Sequence, residues 1–263
     1  MPKRRPPTGE LLAARIAGQT EVLAGLEPLV RADAPDAVHR MRVACRRLRS
    51  ALREYGGAEP AGVSGELGRL GRALGAARDA EVLGAELTAA ARELPAECEP
   101  ELIAAEVARW AEQRVAGARP EVLAALDSEW YRVLLGALGE LAVRPPDGAG
   151  LAPYPELART AERRVARRLA DARGRAGADR DAALHRARKA AKRARYLGET
   201  AGAAGLTARM KAVQDALGVH QDAVVARQAL RELARTGHAF AYGVLYARQL
   251  SRAEAAERDL PRL

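Results

Sequence analysis

Aromatic side chains are scarce in this chain, with six Tyr, two Trp and one Phe among 263 residues. Single-strand binders stack successive bases on several rings, so a stacking platform for nucleic acid is disfavoured. Cysteine is nearly absent. Cys45 and Cys98 stand in no metal-ligand spacing, which argues against a zinc module and for a reduced, cytosolic interior. No apolar run is long enough to span a bilayer, and the basic start Met1-Pro2-Lys3-Arg4-Arg5-Pro6-Pro7 leads into no continuous apolar stretch. Neither a membrane helix nor a secretory signal is therefore expected, and the expected location is cytoplasmic. Period-two alternation of β-branched residues is missing too, which removes the signature of a sheet.

Helix formers and cations are what the chain has. Lys and Arg number 43 against 34 Asp and Glu, giving a net charge of +9 and a pI near 10.1. Such a surplus favours a polyanionic partner: nucleic acid, an anionic membrane surface or a polyphosphate. Only Lys3, Lys189, Lys192 and Lys211 are lysines. Arginine forks hold phosphate oxygens bidentately, although coding bias in a chain rich in Ala and Gly also explains the ratio. The length suits one large domain or two of moderate size, with a real core.

Glycine and proline divide the chain into about ten helical segments. The breaks are Gly56-Gly57 with Pro60, Leu94-Pro95, Pro100, Pro120, Pro145-Pro146, Gly148 to Pro155, Gly174 to Gly177, and Gly202 to Gly205. Asp33 to Asp36 and Asp179 to Asp181 read as helix starts. The stretch from Arg144 to Pro155 reads as the longest linker.

Two segments share one unusual pattern, apolar-H-x-x-R-x-x-x-(R/K)-R-x-R. The first runs from Val38 to Arg49 and the second from Leu184 to Arg195, with their histidines 146 positions apart. At helical spacing His39, Arg42, Arg46, Arg49 and Arg53 fall within an arc of about 80°. His185, Arg188, Lys192 and Arg195 trace the same arc on the second segment. The first row runs beside an apolar strip of Val38, Met41, Cys45, Leu48 and Leu52. A helix so built docks its strip in a core and carries a row of cations along one edge. A second pair of strings matches at an offset of 143: Leu74-Gly75-Ala76-Ala77-Arg78-Asp79 and Leu217-Gly218-Val219-His220-Gln221-Asp222. Two collinear matches at nearly one spacing argue for an internal duplication of a helical unit.

Together, the two histidine motifs, the second ending at Tyr196, and the L-G-x-x-x-D elements resemble the CHAD family, the conserved-histidine α-helical domain. The resemblance covers about residues 10 to 258. It implies an all-α fold of two pseudosymmetric four-helix-bundle halves with extra flanking helices, around a basic cavity or groove. The expected organisation is a basic tail over 1–9 and a single domain over 10–263, with halves at about 10–143 and 153–263. The resemblance also implies non-enzymatic binding of inorganic polyphosphate. Carried over residue by residue, the site comprises His39, Arg42, Arg46, Arg47, Arg49 and Arg53, then His185, Arg188, Lys189, Lys192, Arg193 and Arg195. Arg163, Arg167 and Lys211 are secondary candidates. Glu199 departs from the pattern, because it stands where the first row has Arg53. A carboxylate there weakens that end of the row unless an arginine pairs with it.

Polyphosphate is a flexible chain with about one charge per phosphate, so rows of wide-tolerance donors suit it. Each motif histidine has two readings: a ligand contact that strengthens as pH falls, or a ring bonded to a carboxylate such as Asp79 or Asp222. Asp79 and Asp222 read as structural partners of surplus arginines. His220 with Asp222 is spaced wrongly for a metal pair, His238 stands alone, and neither metal nor cofactor is expected. Catalysis is not expected either. Triphosphate-tunnel enzymes, often fused to this family, carry E-x-E-x-K, whereas Glu97-Cys98-Glu99-Pro100-Glu101 lacks the lysine. The expected partners are polyphosphate, its granules and polyphosphate-metabolising enzymes, without a membrane. The alternative is a general polyanion or nucleic-acid backbone binder, since phosphates dominate affinity in both cases.

Overall fold

The segments between the breaks become nine α-helices, with no strand among the described residues. They are seen in a computed structural model of the chain, which describes residues 7–54, 62–145, 147 and 151–261. In order they are α1 (Thr8–Arg31), α2 (Ala37–Glu54), α3 (Val63–Arg92), α4 (Pro100–Asp127), α5 (Glu129–Val143), α6 (Tyr154–Arg173), α7 (Gly177–Thr200), α8 (Ala204–Leu233) and α9 (Ala239–Arg258). A 3-10 turn at Ala96–Cys98 separates α3 from α4. The all-α expectation therefore holds. The tail through Pro6 and the breaks at Gly56, Gly57, Pro60, Pro146 and Gly148 lie outside the described residues.

Pro120 does not break the chain as expected, because α4 runs straight through it. An internal proline removes one helix donor and crowds the preceding turn, usually costing about 3 kcal/mol. Here Ala118, Val122, Ala125 and Leu126 are buried around it, and that packing holds the helix together. Pro28 sits inside α1 in the same way, between buried Leu26 and Val30.

The chain groups into two compact units, each drawn from three stretches of sequence. Unit 1 comprises Met1–Arg78, Ala116–Arg159 and Tyr196–Thr207. In it α1 packs on α2 and α5. The buried positions of α2, including Met41, Ala44, Cys45, Leu48 and Leu52, recur at steps of three and four and form one apolar face. They join Leu12, Ile16 and Leu23 of α1 and Leu134 and Leu138 of α5 in one core. Truncating a fully buried member such as Leu48 to Ala costs about 2–5 kcal/mol. Ser128 caps α5, its hydroxyl accepting from the Tyr131 amide at 3.3 Å.

Unit 2 comprises Asp79–Val115, Thr160–Arg195 and Ala208–Leu263. Its core joins Leu87, Ile103, Val107, Leu230, Tyr242 and Leu245. The Tyr242 hydroxyl donates to Glu106 Oε2 at 2.7 Å. Within this unit α3 and α4 approach so closely that a Cβ on Gly84 would lie 2.2 Å from the Ala111 Cβ. Glycine is required there for lack of space, not for its dihedral freedom. No helix among the described residues is long and apolar enough to cross a membrane.

Candidate functional site

The first cation row stands on α2, in unit 1, above its apolar strip. Met41, Cys45, Leu48 and Leu52 of the strip are buried and Val38 is half-buried. Burial pushes the Cys45 thiol up to about 12, so it stays protonated and inert. His39 and Arg53 are exposed, and Arg42, Arg46, Arg47 and Arg49 are half-buried. Several of these guanidinium groups are held by the fold. Arg42 Nη1 donates to the Gly75 carbonyl at 3.5 Å. Arg49 lies against Gly68, where a Cβ would come within 3.0 Å of its Cζ. Arg46 Nε donates to the Tyr196 hydroxyl at 3.3 Å.

Glu199, the departure from the motif, is paired. Its Oε2 lies 3.3 Å from Arg47 and 3.8 Å from Arg15. Arg15 also donates to the Thr200 hydroxyl at 3.2 Å. Burial, with Arg47 nearby, lowers the Arg15 pKa, and Glu199 opposes that shift. Arg47 is thus turned toward a carboxylate, and Arg15 is a member of this cluster that sequence reasoning missed. Nothing in the local pattern of α1 marks Arg15, because its partner lies at the far end of the sequence.

The second row stands on α7 and, through Arg195, belongs to unit 2. Its buried face is built of small residues, Ala183, Ala187, Ala190, Ala191 and Ala194, with Leu184. His185, Arg188, Lys192, Arg193 and Arg195 are half-buried and Lys189 is exposed. Arg188 runs alongside Gly218, where a Cβ would lie 3.6 Å from its Nη2. In each unit, then, the arginine three residues after the motif histidine packs on the glycine of an L-G element. Arg193 instead turns back on its own helix, donating to the Lys189 carbonyl at 3.2 Å.

Burial lowers the His185 pKa, and Lys189, Arg188 and Lys192 add to that, while the ring's hydrogen bond with the Gln221 side chain opposes it. Its Nδ1 is covered and has no hydrogen-bond partner among the described residues. Solvent reaches Asp222, yet the surrounding protein desolvates its carboxylate enough to raise the pKa. Asp79 raises it further, and Arg188 and Lys192 oppose. Asp222 therefore sits in the field of two row cations, in keeping with a supporting role. Of the secondary candidates, Arg163 and Arg167 are exposed on α6. Arg163 reaches Thr160 at 3.4 Å, and Lys211 on α8 pairs with Asp215 at 2.5 Å.

The histidine most firmly bonded to carboxylates carries neither motif. His220 is 1% exposed, and its Nε2 lies 3.2 Å from Asp181 Oδ1 and 3.1 Å from Glu257 Oε1. Arg227 binds Asp181 at 2.7 Å and Arg180 binds Glu257 at 2.6 Å. This network was not legible in sequence, since Glu257 arrives from a different helix. His238 is not alone either. Its ring lies between Glu99, 3.8 Å from Nδ1, and Glu106, 3.6 Å from Nε2. The turn that opens α9 makes that contact, with His238 itself at a φ of 48°.

Comparison with known proteins places this arrangement. The chain is 38% identical over 275 residues to "Uncharacterized protein MT2285" of Mycobacterium tuberculosis (strain CDC 1551 / Oshkosh) and equally to "Uncharacterized protein Rv2226" of strain ATCC 25618 / H37Rv. Each match covers 99% of this chain and 53% of the relative, so the chain spans about half the length of these curated relatives. Among solved structures, PptA from Streptomyces chartreusis shares the fold with a TM-score of 0.80 at 23% identity, over 97% of this chain and 98% of that one. The CHAD domain from the plant Ricinus communis superposes with a TM-score of 0.73 at 27% identity, over 98% and 93% of the two chains. The family model for the CHAD domain matches residues 14–231, a span that takes in both histidine helices and both L-G elements, and the chain belongs to the CHAD domain family.

Proposed function

We propose that this protein binds inorganic polyphosphate through the α2 and α7 cation rows, without chemistry of its own. The observation that carries the proposal is the build of these helices. Each buries an apolar or small-residue face and leaves a histidine and spaced arginines or lysines partly or fully exposed beside it. Family membership and the net charge of +9 support it. The two rows are read as copies from an internal duplication, two bundle halves that supply a basic groove. Guanidinium groups already oriented by Gly75, Gly68, Tyr196 and Gly218 lose less freedom on meeting phosphate oxygens. The reading carries a cytoplasmic setting, with polyphosphate granules and polyphosphate-metabolising enzymes as neighbours.

A competition assay at fixed, near-physiological salt tests it. Labelled long-chain polyphosphate bound to the protein is challenged with duplex DNA, single-stranded RNA and short phosphates. Displacement by polyphosphate alone is the expected result. Equal displacement by DNA or RNA at matched phosphate concentration replaces the reading with a general polyanion binder.

A further inference from the structure

The α7 row leads toward a cavity that the proposed function does not use. From Arg195 down to His185 the row covers about 15 Å of helix, and Asp181 and Ala178 continue the same face toward the α7 N-terminus. There, within unit 2, a cavity of about 860 Å³ opens against α8 and α9. His185 lines it, so one side chain belongs to both the row and the cavity.

The cavity wall is organised by charge pairs. Asp181 and Glu257 each hold an arginine, Arg227 and Arg180 respectively, and share the buried His220 between them. Their negative charge is thus compensated from within the protein. Arg175, held by Asp171 at 2.8 Å, and Arg231, which has no ion-pair partner among the described residues, also line the space. Glu254 is the remaining acid on the lining. The first turn of α7, at Gly177 and Ala178, adds the positive end of a helix.

Resting on the polyphosphate reading, we propose that this cavity receives the terminal phosphoryl group of the chain, so that the protein recognises chain ends as well as chain interiors. An interior phosphate carries one charge, whereas a terminal one carries up to two, with a second ionisation near about pH 6 as in phosphate monoesters. A subsite for the end calls for a recess with added positive charge, which Arg231 and the α7 N-terminus supply here. The row needs only spaced single contacts.

Titration calorimetry with linear polyphosphate of one chain length tests this. Chains with free ends are compared with chains whose two ends are blocked as alkyl phosphoramidates, at one ionic strength and one pH above neutrality. Blocking the ends is expected to weaken binding to the unaltered protein by about tenfold, the size of one lost charge-assisted contact. In Arg231→Gln, an exposed position, the two chains are expected to bind within about twofold of each other. Equal binding of blocked and free chains to the unaltered protein overturns the end subsite and leaves polyphosphate binding standing. So does a full difference retained in both Arg231→Gln and Arg175→Gln. Binding of neither chain is a different result, which removes the polyphosphate reading and this one together.

Discussion

At the scale of single residues, the structure alters what the rows can do. Glu199 looked like a defect in the second row, yet it pairs with Arg47 and Arg15 and so draws a first-row arginine toward itself. Glu199→Gln is expected to raise affinity for polyphosphate about two- to fivefold, since releasing a partly exposed pair is worth under about 1 kcal/mol. Binding isotherms and thermal melts check this, and unchanged affinity places Arg47 outside the site. The histidines make a second residue-scale prediction. Burial lowers the pKa of both His185 and His220 below the ordinary value of 6.5. Below 6.5 the unfolded chain then binds protons that the folded chain does not, so their stabilising share is complete above 6.5 and is lost as pH falls toward the folded values. Urea melts from about pH 7 to about pH 5 are expected to show falling stability, with a shallower fall in His220→Gln. An identical slope in the variant rules His220 out as the source.

At the scale of elements, the repeated pairing of a motif arginine with an L-G glycine, Arg42 with Gly75 and Arg188 with Gly218, gives those strings a physical meaning. A side chain beyond Cβ at Gly218 would compete with the Arg188 guanidinium for the same space. The rows themselves are tested by reversing one charge in each. Arg46→Glu with Lys192→Glu is expected to weaken polyphosphate binding by at least about a hundredfold, as like charges at a contact cost several kcal/mol. Helicity by circular dichroism should be retained, because both side chains are only half-buried and flank the apolar faces. Normal binding by the double variant removes the rows from the site. The helices were largely legible in sequence, since the steps of three and four in α2 place Met41, Cys45, Leu48 and Leu52 on one buried face. Pro120 was misread because a proline's local cost is visible in sequence, while the burial that offsets it at Val122 and Leu126 is not.

At the scale of the whole molecule, net charge and arginine content make the proposed binding ionic. With about six phosphates engaged, log K is expected to fall with log salt at a slope of about −4, and titrations over a salt series measure it. A flat response contradicts an ionic site. The amino-acid sequence by itself determined the all-α class, the family and the two cation rows, because helical periodicity and motif spacing are local properties of the chain. Only the tertiary structure decided which stretches share a compact unit, how Glu199 is neutralised and which histidine is bonded to carboxylates. It also decided that the α7 row runs into a cavity. These depend on side chains brought together from helices far apart in sequence, and a one-dimensional pattern carries no record of such distances.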